Sequence, residues 1–200
     1  MSLTKSFKKS HEKFIRNSLG RAYRKNKFKS EDSEFVVECY RKIVEINNEL
    51  FEKIPYQVKF VSGEPYKNAR EMRERVISEN VIYISTDGEP NKFMTQEENL
   101  KGRAIHDVFA HMVCGCPFTF KGEYNAYLEQ RKHYPIWTWG VLFAEIPMQT
   151  ASYYVENNFD YEQRAIEAPA WLMAYCEKFL AHDYSVNSVL KSFAKSDYVY

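Results

Sequence analysis

From Thr95 onward nearly every apolar residue recurs at helical spacing, and this constrains the chain more than any other feature. Thr95-Gln96-Glu97-Glu98 has the form of a capping box, with Thr95 as N-cap and Glu98 reaching back. The spacing predicts a helix from there to about Cys114, stopping before Gly115-Cys116-Pro117. A second helix is expected from near Gly122 to before Pro135. A third covers 136–157 with a kink at Pro147, and a fourth covers 161–182, interrupted near Pro169. Upstream, Ser30-Glu31-Asp32-Ser33 opens a helix whose apolar positions Phe35, Val36, Tyr40, Ile43, Val44, Leu50 and Phe51 lead to Pro55. Only 56–61 and 81–85 read as strands, with a short helix over 68–78 between them. The expected fold is mainly α: a helical, bundle-like domain with a small two-stranded β element.

Composition narrows the function classes. With 44% hydrophobic residues in 200, the chain can bury one core. No apolar run reaches the roughly 18 residues of a membrane span, and 1–7 lack the apolar stretch of a secretory signal. Four scattered cysteines (Cys39, Cys114, Cys116, Cys176) make no disulfide framework and suit a reducing compartment. Seven glycines, with neither GxxxxGK[ST] nor GxGxxG, argue against phosphate-loop and dinucleotide chemistry.

Charge is segregated. Residues 1–30 carry ten Lys/Arg, from Lys5 to Lys29, against the single acid Glu12, while the remaining 170 residues are net −8. A basic arm on an acidic body suits a polyanionic partner, nucleic acid above all, or a neighbouring protein. Phe7, Phe14, Tyr23 and Phe28 interleave with the charges and could stack on single strands or dock the arm onto its own domain. The chain is therefore read as an arm at 1–30, separable from a single helical domain at 31–200.

The residues able to carry chemistry sit on the helix that begins at Thr95. At about 100° per residue, Arg103, His106, Asp107, Ala110, His111 and Cys114 share one arc, opposite Ile105, Val108, Phe109, Met112 and Val113. Two imidazoles and a carboxylate on one face supply donors suited to zinc, iron or manganese. The histidines are i,i+5, so the HExxH zinc pattern is not encoded. Glu123 and the pair Glu145/Gln149 fall on the next two helices, where carboxylates can converge as in bundle metal sites. The competing reading is a structural polar network on a helix face.

The run Arg103-Ala104-Ile105-His106-Asp107-Val108-Phe109-Ala110-His111, then Gly115, Phe118, Gly122-Glu123-x-Asn125-Ala126-Tyr127 and Glu145-x-x-x-Gln149, resembles a domain of bacteriophage and mobile-element proteins, often found within long polyvalent phage proteins. Pro65-Tyr66, Met72-Arg73, Val76 and Glu97-Glu98-Asn99 also fit, so the resemblance covers 60–155; Ala110 stands where the family usually has glycine. The resemblance implies a virion or host-cytoplasm location. It singles out His106, His111, Glu123 and Glu145 as metal ligands, Asp107 and Glu123 as acid–base groups, and Arg103 as a holder of an anionic substrate. Asn125 and Gln149 would be orienting partners. Two functions follow as expectations: a metal-dependent, hydrolytic phage enzyme, or a non-enzymatic virion component that contacts capsid or nucleic acid.

Overall fold

Side-chain caps fix where the helices start. The structure, a computed structural model, describes residues 5–28, 33–156 and 163–180. Ser33 caps α2 (Glu34–Phe51) by accepting the Val36 amide at 3.1 Å. Asn68 caps α3 (Ala69–Glu79), and the Thr95/Glu98 capping box opens α4 (Gln96–His106) as expected. Strands β1 (Gln57–Val61) and β2 (Val81–Ser85) flank α3 and pair in parallel, Gln57 opposite Val81 and Val61 opposite Ser85. A parallel pair needs such a crossover, and α3 supplies it. Further along lie α5 (Phe120–Gln130), α6 (Trp139–Phe143), α7 (Gln149–Glu156) and α8 (Ala170–Leu180). The chain is thus mostly helical with one small sheet.

The first helix departs from expectation. α1 (Lys5–Arg24) packs on the helices that follow it: Ile15, Leu19 and Tyr23, at i, i+4 and i+8, are buried in the same core cluster as α2, α5 and α6. Gly20 faces α7 so closely that a Cβ would stand 2.4 Å from the Ala151 carbonyl oxygen. The buried Tyr23 hydroxyl accepts the Arg164 amide at 2.8 Å. Basic density on one face of a helix does not stop the other face from packing, because lysine and arginine heads stay in water.

The helix from Thr95 does not continue as α to Cys114. After His106 it widens into a π-helical turn, Asp107–Val113, in which the Cys114 amide reaches the Phe109 carbonyl at 3.3 Å. The third expected helix is likewise divided. It opens with a 3-10 turn (Ile136–Thr138), runs through α6, and then forms a second π turn, Ala144–Met148, containing Pro147. Proline lacks an amide to donate, so a widened turn replaces the simple kink. The fourth helix begins only at Ala170. Residues 163–169 are irregular but packed, with Ala165, Ile166 and Ala168 buried and the Ala168 amide on the Gly140 carbonyl at 3.0 Å. The parts of these expected helices at 157, 161–162 and 181–182, and the expected start at 30–32, lie outside the described residues.

Two cores result. One, rich in aromatics (Tyr23, Tyr40, Phe120, Tyr124, Tyr127, Phe143), joins α1, α2, α5, α6 and α8. The other (Met72, Val76, Ile82, Ile84, Ala104, Val108) packs β2 and α3 on α4 and the first π turn. Ala110, Cys116 and Ala126 form a small patch that lets the first π turn approach α5. The candidate site lies on this seam.

Candidate metal centre

A π turn places residues five apart one above the other, because its hydrogen bonds run i→i+5. His106 and His111 therefore meet: their Nε2 atoms are 3.0 Å apart. Glu123, in the first turn of α5, closes the group. One carboxylate oxygen is 3.0 Å from His106 Nε2 and the other 3.4 Å from His111 Nε2. Gly122 permits this approach, since a Cβ there would fall 1.8 Å from the Pro117 carbonyl oxygen.

The outer nitrogens fix the tautomers. His111 Nδ1 lies 2.8 Å from the Cys116 carbonyl oxygen, which can only accept, so Nδ1 carries the proton. His106 Nδ1 lies 2.9 Å from Gln130 Oε1, while Gln130 Nε2 turns to the Tyr134 hydroxyl, which in turn donates to Asn47 Oδ1. With both rings neutral, each imidazole presents an Nε2 lone pair, and the two Nε2 atoms lie 3.0 Å apart beside a carboxylate, a place for a metal ion or for a proton on His106. Such an arrangement calls for a cation. Tetrahedral zinc with bonds of about 2.0–2.1 Å sets its ligands about 3.4 Å apart, close to the spacings here. The second partners on Nδ1 are those that orient metal-binding histidines. His106, His111 and Glu123 can hold a metal ion.

Electrostatics agree with a cation-seeking centre. Burial works against a charged His106, yet the hydrogen bond to Glu123 and the Glu123 and Asp107 charges lift its pKa to about 9. Burial also opposes the Glu123 carboxylate, but the two histidines pull it down to about 2. Arg73 on α3 clamps the turn by donating to the His111 carbonyl at 3.1 Å.

The centre borders a cavity of about 240 Å³ lined by His106, Asp107, Glu123, Glu145, Asn99 and Gln149 among others. His111 is fully buried and does not line it, so four of the five residues expected to share the pocket do. Glu145, expected as a metal ligand, is not within the donor group. Its carboxylate accepts from the Tyr40 hydroxyl and from Asn91 Nδ2, the latter at 3.1 Å, on another stretch of the cavity wall. The second π turn carries it there. Asp107 lines the cavity with no hydrogen bond to its carboxylate among the described residues, and burial raises its pKa. Arg103 reaches the cavity, but its Nη1 donates to the carbonyls of Ser85 and Asp87, at 3.0 and 2.6 Å, and so ties the end of β2 to α4. Asn125 departs from expectation: it is buried on α5 and does not line the cavity, and its Oδ1 has no hydrogen-bond partner among the described residues. Burial pushes the Cys114 thiol up to about 12, which disfavours its thiolate, and Cys116 meets the centre through its carbonyl at His111 Nδ1.

Sequence reasoning missed Gln130, Tyr40 and Asn91. Gln130 is i+7 from Glu123, two turns along the same face of α5, which a reading centred on Glu123 could have used. No such local signal existed for Tyr40 and Asn91, which meet Glu145 from distant parts of the chain.

Burial raises Glu145 to about 7, although Tyr40 and Asn91 work in the opposite direction. An unfolded glutamate ionises near 4.3, so between about pH 4.3 and 7 the folded chain holds more protons and stability falls as pH rises. Glu145→Gln keeps an acceptor for both donors and should flatten this dependence. Urea titrations should show it more stable than wild type by about 2 kcal/mol near pH 8 and equal near pH 5. Equal stabilities at both values would refute the raised carboxyl.

No protein-family model, curated protein or solved structure matches the chain.

Proposed function

We propose that this protein is a metal-dependent hydrolase of the bacteriophage or mobile-element type that its motifs resemble, with His106, His111 and Glu123 holding one zinc, iron or manganese ion. The observation that carries the reading is the pair of Nε2 atoms held 3.0 Å apart against a carboxylate, each ring locked from behind by a hydrogen bond on Nδ1. His106, His111 and Glu123 would give an ion three protein ligands, the number typical of catalytic rather than four-ligand structural sites. A bound ion supplies Lewis acidity toward a carbonyl or phosphoryl oxygen and makes a water acidic near neutral pH.

The chain's own residues supply the proton handling. Asp107, a carboxylate on the cavity wall with no hydrogen bond among the described residues, accepts a proton from water entering the site. Glu145, with a pKa of about 7, can hold and return one near neutral pH. These two carboxyls favour hydrolysis over the oxygen chemistry that the same ligand set also serves. The rival reading is a virion component in which a proton on His106 fills the gap, and the Gln130–Tyr134–Asn47 chain gives it a structural rationale.

Elemental analysis of purified protein, with thermal melts with and without chelator, separates the two. The metal reading expects one ion per chain, a chelator-induced drop in Tm of about 10 °C, and loss of both in His111→Ala. A metal-free wild type indifferent to chelator, with His111→Ala less stable by about 3 kcal/mol from unsatisfied buried partners, would establish the structural network instead.

A further inference from the structure

Outside the metal seam, the most unusual surface lies where α1 meets α8. Phe14 is 63% exposed and Trp171 67%, and both line an apolar groove of about 180 Å³ with Ser18, Lys27, Phe28 and Tyr175. The groove is held in shape by the core packing of α1 and by the hydrogen bond between His11 Nε2 and the Tyr175 hydroxyl at 3.0 Å.

Charge surrounds it. Lys9, Lys13, Arg21, Lys25 and Lys27 are exposed, and none forms an ion pair with a described residue. Lys9 and Lys13, then Arg21 and Lys25, are each one turn apart, with Asn17 between the pairs, giving a row stepped by about 6 Å. Arg21 is i+7 from Phe14 and Lys25 i+7 from Ser18, so the row converges on the groove at its Lys27 end.

We propose that this face binds single-stranded nucleic acid: the phosphates follow the row from Lys13 to Lys27 and bases stack on Trp171 and Phe14. Open aromatic faces beside a basic track are what sequence-tolerant single-strand binding requires. A duplex keeps its bases stacked and would leave the rings unused. Insertion of α1 into a membrane would need the apolar stripe of Ile15, Leu19 and Tyr23, which the core has taken. The proposal is independent of the metal centre, which lies on α4, the first π turn and α5, none of which lines the groove.

Fluorescence anisotropy of the full chain with a labelled oligothymidylate tests it, beside a duplex of equal length and vesicles of anionic phospholipid as competitor. Engagement of four phosphates predicts a salt slope of about −3, a loss of roughly fiftyfold between about 50 and 200 mM salt. Trp171→Ala should weaken binding about tenfold or more. Arg21→Gln with Lys25→Gln should flatten the slope by about 1.4. Phe14→Ala, on the other wall, repeats the test should Trp171→Ala fail to fold. The proposal is overturned by absence of binding at low salt, by equal affinity for duplex with no effect of either aromatic change, or by full competition from vesicles. Self-association lost in Trp171→Ala would assign the groove to a second copy and also overturn it.

Discussion

A chain lacking residues 1–28 is expected to lose cooperative folding altogether. Removing α1 strips Ile15, Leu19 and Tyr23 from the larger core, each worth about 2 kcal/mol of apolar burial, a total near the whole stability of a typical domain. It also uncovers the α7 backbone that Gly20 meets. Circular dichroism and a urea titration of the truncated chain should show no sigmoidal transition, while Gly20→Val in the full chain should be destabilised by at least about 3 kcal/mol. Retention of the wild-type melting temperature by the truncated chain would restore the reading of α1 as an independent arm.

The second large effect is expected at Gly122. An alanine Cβ would sit 1.8 Å from the Pro117 oxygen and 2.8 Å from its carbonyl carbon, and backbone atoms cannot swing aside as a side chain can. Either α5 moves or the 115–118 loop does. The loop carries the Cys116 carbonyl that holds His111, and α5 carries Glu123, so both movements pull the metal donors apart. Gly122→Ala should therefore cost about 4 kcal/mol and lower metal affinity at least tenfold even at temperatures where the chain remains folded. A variant within about 1 kcal/mol of wild type, with unchanged metal uptake, would show that the approach of α5 to the loop is not needed.

Much of the fold could be read in advance wherever the signal was local. The Thr95/Glu98 box, the Ser33 cap and the two β-rich runs each mark an element by short-range chemistry. Packing of α1 was also written in the i, i+4, i+8 positions of Ile15, Leu19 and Tyr23, but charge density outweighed it in the reading. Residues 163–169 were expected as helix but are irregular, because their order comes from distant contacts such as Ala168 with Gly140 and Arg164 with Tyr23. At the site, His106, His111 and Glu123 were found from residue type and motif, but regular α phase leaves the two histidines at opposite ends of their shared arc, about 140° apart, and only the widened turn brings their Nε2 atoms to 3.0 Å. Widened turns have no sequence periodicity of their own. Glu145 was found as a carboxyl of the cavity, but the role expected for it was displaced by its partners Tyr40 and Asn91.

Both widened turns, Asp107–Val113 and Ala144–Met148, open onto the same cavity, and each amounts to a helix carrying one residue more than regular winding accommodates. Chemistry and architecture are consequently separable by chain length. Deleting one residue between His106 and His111 would let the strand of helix rewind into uninterrupted α geometry, sliding His111 out of line with Glu123 while the two cores on either side could still close. A variant of this chain one residue shorter there would be expected to keep the fold while His106, His111 and Glu123 no longer meet.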